Sequence, residues 1–205
     1  MKIHEFGTGP SNPQDFHYDR GNLDAIRAHW VVGNYSYDLP FGRGKRFGGS
    51  ASKWQDRIIG GWQLNGIVTA GSGAPYSVNF SPNQIGWIGN RANVSSYSAA
   101  KPSNQTIDQW FSPAAFSIPQ PFTYGTSARN ALFGPGLFSW DAGAFKAIQI
   151  TERLRSTFRA ELFNATNHTS FGNPATNLSV PASVGRITGT SVAARTVQFG
   201  LRVDF

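Results

Sequence analysis

The sequence contains no cysteine, a single methionine and only 14% charged residues, and each shortage narrows what the chain can be. Without cysteine there is no disulfide framework and no thiolate-bound zinc. Low charge beside 23 glycines and 14% aromatics describes an all-β chain with tight turns rather than a helical bundle. No run of eighteen apolar residues exists, so no transmembrane helix is expected, and mean hydropathy is −0.30. That average does not exclude a membrane, because a membrane strand needs only about ten residues with every second one apolar. The start Met1, Lys2, Ile3, His4, Glu5 has no apolar core and no cleavage site, so an exported protein is expected to have further residues upstream. The net charge of +7 comes from eighteen lysines and arginines spread along the chain, not gathered in a patch, so nucleic acid is not an expected partner.

Periodicity carries the main signal. From Arg195 to the end, Val197, Phe199, Leu201, Val203 and Phe205 share one face of a strand, and Thr196, Gln198, Gly200, Arg202 and Asp204 the other. Taken alone, this segment also suits a half-buried edge strand of a soluble sheet. Leu154–Phe163 repeats the design, with Leu154, Phe158, Ala160 and Leu162 opposed to Arg155, Thr157, Arg159 and Glu161. An arginine facing lipid at the midplane costs about 2–4 kcal/mol, so the charged side is expected to face a lumen. Upstream, Trp140, Ala142, Ala144, Ile148 and Ile150 alternate with Asp141, Gly143 and Gln149, and Thr151-Glu152-Arg153 reads as a hairpin turn. Two residues break that pattern: Lys146 falls on the apolar face and Phe145 on the polar one. Lys146 lies near the turn, where its stem can stay in hydrocarbon while the ammonium reaches the interface. Earlier still, Gly61, Gln63, Asn65, Ile67 and Thr69 alternate with Trp62, Leu64, Gly66, Val68 and Ala70, a pattern that can be continued through Pro75, Tyr76 and Val78. Val31, Tyr35, Tyr37 and Leu39 alternate with Trp30, Val32, Asn34, Ser36 and Asp38.

The expected fold is therefore an antiparallel transmembrane β-barrel segment. It has about five long strands near 28–39, 60–71, 138–149, 153–164 and 193–205 and long extracellular loops, and the barrel is incomplete. The long polar stretches 81–137 and 165–192 are assigned outside, and the turns 40–59 and 150–153 to the periplasm. Residues 1–27 are read as an extracellular loop remnant, and 28–205 as the C-terminal strands. An odd strand count starting on the outer side again implies an incomplete chain.

Five stretches resemble the C-terminal region of TonB-dependent receptors, especially the Oar-like subgroup with a carboxypeptidase-regulatory-like N-terminal domain. They are YSYDLPFGRGKRF (35–47), GGWQLNGIVTAGSGAPYSV (60–78), WFSPAAFS (110–117), the segment 130–174 that contains FRAELFNATNHTSFGNP, and VQFGLRVDF (197–205). The resemblance implies a 22-strand barrel closed by an N-terminal plug, an unknown ligand captured by the outer loops, and coupling to TonB through an N-terminal region not visible here. Separately, the terminal aromatic pattern of Val197, Phe199, Leu201, Val203 and Phe205 resembles the signal read by the barrel-assembly machinery; the plain alternative is lipid-facing surface, and the two roles are compatible. The expected location is the cell outer membrane, with its lipid as a partner.

Other chemistry is thinly represented. Arg43-Gly-Lys45 departs from the phosphate-loop pattern, since Arg46 follows Lys45 and no helix pattern follows, so a solvated basic turn is expected. His4, His17, His29 and His168 lack metal spacing, and no G-x-S-x-G elbow occurs, so no catalytic residue, cofactor or metal is assigned and no enzyme is expected. Asp141, Glu161 and Asp204 are expected to pair with Arg155, Arg159 and Arg202 rather than act in acid–base catalysis. The sequons at Asn93, Asn104, Asn164, Asn167 and Asn177 read as polar loop composition. Trp30, Tyr35, Tyr37, Trp62 and Trp140 suit interfacial girdles, or the sugar platforms of a soluble carbohydrate-binding β-sandwich. A complete small barrel or porin-like protein remains open and requires one more strand hidden in 1–27 or 81–137.

Overall fold

Alternating apolar and polar residues cannot bury one side of a helix, but they give a strand two chemically distinct faces, and the long strands fall where that alternation runs. In the computed structural model, which describes residues 10–24, 26–82, 90–151 and 153–205, the chain order is β1 Trp30–Asp38, α1 Lys53–Ile59, β2 Trp62–Gly71, β3 Pro75–Tyr76, β4 Asn93–Val94, α2 Tyr97–Ala100, β5 Phe116–Ser117, β6 Leu132–Phe133, β7 Leu137–Gln149, β8 Arg155–Phe163 and β9 Thr196–Asp204. The expectations placed on residues 1–9, 83–89 and Glu152 lie outside the described residues. The five long strands agree with those expected to within three residues at either end. The extra strand that a complete small barrel would place in 1–27 or 81–137 is not found among their described residues, where the strands are two residues long.

The chain divides into two compact units. One is the sheet, formed by Trp30–Gly71, Leu137–Ser170 and Val192–Phe205. Its order is β1-β2-β7-β8-β9, antiparallel throughout, with each strand beside its predecessor in the sheet. Register aligns the apolar residues into rows across the strands. One row is Tyr37, Leu64, Ala144, Ala160, Phe199, and the next toward the β7–β8 hairpin contains Trp62, Lys146, Phe158 and Leu201. A single-residue slip anywhere would exchange the faces, so this shared register fixes the sheet. Gly66 is required on the apolar face: the hydroxyl end of Tyr35 lies 2.6 Å from where a Cβ would stand, and that hydroxyl accepts the Trp140 indole N–H at 3.1 Å.

The β7–β8 hairpin is as tight as expected, closed by Ile150 N–H to Leu154 O and by Leu154 N–H to Thr151 Oγ1. The β1–β2 connection is not the plain turn expected. It contains α1, whose first turn is held by Gln55 Oε1 accepting from the backbone N–H and the hydroxyl of Ser52. The signal is present as Ser52-x-x-Gln55, but the seven-residue helix is too short to show periodicity. Pro75–Tyr76 is likewise no continuation of β2, which ends at Gly71; it pairs with Leu132–Phe133 in the other unit.

At the opposite end, the stretch expected to be a polar loop after β8 is stitched down by its asparagines. Asn164 and Asn167 both take positive φ, 49° and 51°, a conformation in which asparagine is several-fold enriched. The Asn164 amide donates to His168 O and Ala193 O, its side-chain oxygen accepts His168 N–H, and Asn167 Oδ1 accepts Arg195 N–H. Ser170 adds a two-way bond with the Phe138 backbone. The NATNHTS run is therefore a turn-building motif.

The second unit comprises residues up to His29, Ser72–Gly136 and Phe171–Ser191. Instead of the open loops expected, these segments enclose a small core of Tyr76, Val78, Ala92, Ala100, Phe111, Ala115 and Phe116, with Phe111 touching Tyr76 and Phe116 ring to ring. The described part of 1–27 is built in through Arg91. Its side chain is 5% exposed, and its guanidinium lies 3.7 Å from the Tyr18 ring centre and donates to Ser127 O, Tyr18 O and Asp19 Oδ1. Burial alone would raise the Asp19 carboxyl, but hydrogen bonds from Ser11 and from Arg91, with the charge of Arg91, hold it below the usual carboxylate range. A depressed folded-state value contributes stability that is complete above the unfolded value of about 3.9 and is lost as pH falls through the folded value. Unfolding of this unit is therefore expected to become easier below about pH 4, and Asp19→Asn is expected to flatten that dependence in a urea titration repeated at several pH values.

Candidate membrane-facing surface

On the apolar side of the sheet the candidate residues Val197, Phe199, Leu201 and Val203 stand together at one edge, with Phe199 69% and Leu201 70% exposed, and Phe205 follows the end of β9, fully exposed. Phe199 stacks with Phe158 of the neighbouring strand at 6.1 Å. Val31, Tyr37 and Leu64 continue the exposed apolar surface to the other edge. Among the described residues the unit is a single layer, since no second sheet belongs to it. A soluble sandwich would have buried this face against another sheet. Exposed apolar surface on a water-soluble protein marks an interaction site; here the most exposed side chains stand on β1, β2 and β9, and the apolar side chains of β7 and β8 between them are half-buried.

Lys146 is the one charged side chain on that face. It is only 7% exposed: its ammonium donates to Gly60 O and sits 4.9 Å from the Trp62 ring centre. The ammonium thus ends at the β1–β2 connection, toward which it was expected to reach, but it is buried there rather than open to solvent. A carbonyl at the helix end and an aromatic face satisfy the charge in place. Trp62 itself donates its indole N–H to Ile58 O.

The opposite face is polar toward the β7–β8 hairpin, whereas Trp30, Val32, Ile67 and Phe163 are exposed apolar side chains on it farther along the strands. A cleft of about 640 Å³ near the hairpin end is lined by Asp38, Lys45, Gln63, Asn65, Arg155 and Arg159, among others. Gln63 donates to Asp38, and Arg159 lies over the Phe145 ring at 5.4 Å, which explains the aromatic that breaks the polar pattern. The expected pairing of carboxylates with arginines holds for Arg202 and Asp204, 2.7 Å apart. It fails for Asp141, whose carboxylate instead accepts the Asn164 N–H at 2.8 Å and so fixes the turn after β8. Sequence spacing could not show this, because the partner is a backbone group brought in by the turn.

Of the aromatics expected near strand ends, Trp62 and Tyr37 stand toward the β1–β2 connection, whereas Tyr35 and Trp140 bond to each other over Gly66 farther along the sheet. His168 packs edge-on against Phe138. Among the described residues no group of three or more potential metal ligands occurs, and no helix is long and apolar enough to cross a membrane.

Comparison with protein families agrees with this surface: residues 3–198 match the family described as outer membrane beta barrel domain. No curated protein and no solved structure gave a significant match. An apolar, uncovered sheet face backed by a polar one is the geometry such a domain needs. The chain belongs to the outer-membrane β-barrel family and resides in the outer membrane.

Proposed function

We propose that the chain supplies wall strands and ligand-capturing outer loops to a TonB-dependent receptor of the Oar-like kind. The observation that carries this reading is the open edge on each side of the sheet: among the described residues β1 and β9 each have only one neighbour. In hydrocarbon an unsatisfied backbone group costs several kcal/mol, so both edges must be paired by further strands once embedded. Closure by strands outside this sequence fits a large barrel, and the motifs at 35–47, 60–78, 110–117, 130–174 and 197–205 resemble those of the receptor family. The turns 40–59 and 150–153 then face the periplasm, where short connections are the rule, and the long connections face outward.

On this reading residues 81–137 and 165–192 meet an unidentified ligand, and TonB acts through a plug and N-terminal region of the intact polypeptide. The C-terminal face from Val197 to Phe205 engages the assembly machinery before it meets lipid. The role is binding and transport rather than catalysis.

Planar-bilayer recording on the complete gene product, purified from outer membranes, tests the proposal together with binding of the purified periplasmic domain of TonB. A plugged receptor keeps the bilayer closed at rest and binds that domain saturably. Stepwise conductance at rest without TonB binding would identify a porin-like barrel instead and overturn the reading. Monomeric behaviour without detergent would point to a soluble sandwich.

A further inference from the structure

The β1–β2 connection is a built knob, more elaborate than a tight turn needs to be. Phe41 and Phe47 meet ring to ring at 5.5 Å, and Gly42, buried at φ +117°, lies against Asp56 and Gly60. Asp56 accepts the Arg43 N–H at 2.6 Å. Between residues 40 and 60 this is the only carboxylate, against five cations: Arg43, Lys45, Arg46, Lys53 and Arg57. All five cations are exposed. Beside them α1 presents Trp54 and Ile58, one helical turn apart and 64% and 60% exposed.

The end of this helix is tied to the lipid side of the sheet. Trp62 and Lys146, both in the apolar rows, donate to Ile58 O and Gly60 O at its C-terminal end. Lys45 departs from the group, since it lines the cleft on the polar face. A tryptophan and an isoleucine surrounded by arginine and lysine, continuous with a lipid-facing surface, match the composition of segments that lie in a headgroup layer. The polar, anionic part of a phospholipid complements the cations, and the acyl boundary complements the two apolar side chains.

We infer that this knob is an interfacial anchor that docks on anionic phospholipid headgroups of the periplasmic leaflet. Trp54 and Ile58 enter the headgroup–acyl boundary, and Arg43, Arg46, Lys53 and Arg57 meet the phosphates. The choice of leaflet rests on the orientation proposed above. The contact with headgroups does not.

The test uses the complete gene product in lipid nanodiscs of phosphatidylcholine alone or with about one third phosphatidylglycerol, a fraction that sets a strongly negative surface. Fluorescence of the protein minus that of its Trp54→Phe variant isolates Trp54. With the anionic lipid, quenching by lipid brominated near the headgroup is expected to exceed quenching by lipid brominated deep in the chain. Aqueous iodide is expected to quench at least twofold less than in phosphatidylcholine alone. The combined variant Arg43→Gln, Arg46→Gln, Lys53→Gln, Arg57→Gln is expected to abolish that difference. Iodide quenching that is equal in both lipids, with no effect of brominated lipid, would overturn the anchor and leave the knob free for a periplasmic protein. Lipid quenching indifferent to headgroup charge would overturn the pairing with phosphate. Both leaflets of a disc are alike, so orientation is read separately: Gly49→Cys in intact cells is expected to resist a membrane-impermeant maleimide. Labelling there would reject the periplasmic leaflet while leaving the disc result to stand.

Discussion

Replacing Phe199 with arginine is expected to destabilise the membrane-embedded fold by about 2–4 kcal/mol, whereas Gln198→Arg one position earlier is expected to be nearly neutral. Phe199 lies in the row Tyr37, Leu64, Ala144, Ala160, Phe199, near mid-height of β7, the longest strand of the sheet, and its side chain projects from a face that nothing in its unit covers. A guanidinium there has no water and no carboxylate within the row. Gln198 stands opposite Glu161 on the polar face, where an added cation finds an acid across the strand pair. Urea-dependent folding of the complete gene product into vesicles measures both variants against the parent. The contrast between neighbours separates lipid exposure from a general intolerance of β9 to change.

The second large effect concerns the other unit. Arg91→Met is expected to cost about 3 kcal/mol, at the lower end of the range for breaking a buried pair because Asp19, the partner left behind, is itself 18% exposed. The loss has three parts. Ser127 O and Tyr18 O lose their donor, Asp19 loses its cation, and the Tyr18 ring loses the charge stacked on it. Methionine retains much of the apolar stem, so packing changes little and the polar network is what is measured. Hydrogen exchange is the suitable readout. The amides of Ala92 and Ser127, bonded to Val78 O and Ala92 O, are expected to lose protection, while amides paired between β7 and β8 keep theirs.

Legibility in the sequence follows the physics of each part. The five long strands are readable because period-two alternation over nine or more residues suits little besides a strand with two unlike faces, and because each strand presents the same face to the same surroundings. The small unit is not readable. Its strands are two residues long, and its order comes from Arg91, Asp19 and a cluster of aromatics far apart in sequence, none of which leaves a periodic trace. Polar, asparagine-rich composition resembles open loop because the side-chain-to-backbone bonds that organise it, such as those of Asn164, depend on which carbonyls the turn brings near. The exceptions on the strands are visible as exceptions but not as solutions: Lys146 and Phe145 each need a partner, Gly60 O with Trp62 and Arg159 respectively, that only register can supply.

The absence of cysteine makes the central claim directly measurable, since every introduced thiol along Thr196–Asp204 is unique in this sequence. Spin labels placed one at a time at these nine positions, in the complete gene product in bilayers, report access of membrane-soluble oxygen against a water-soluble nickel chelate. The account predicts a strict two-residue alternation, with oxygen favoured at Val197, Phe199, Leu201 and Val203 and the nickel reagent favoured at Thr196, Gln198, Gly200 and Arg202. A flat profile, or exclusion of both reagents from the Phe199 and Leu201 positions, would contradict it by placing that face inside protein.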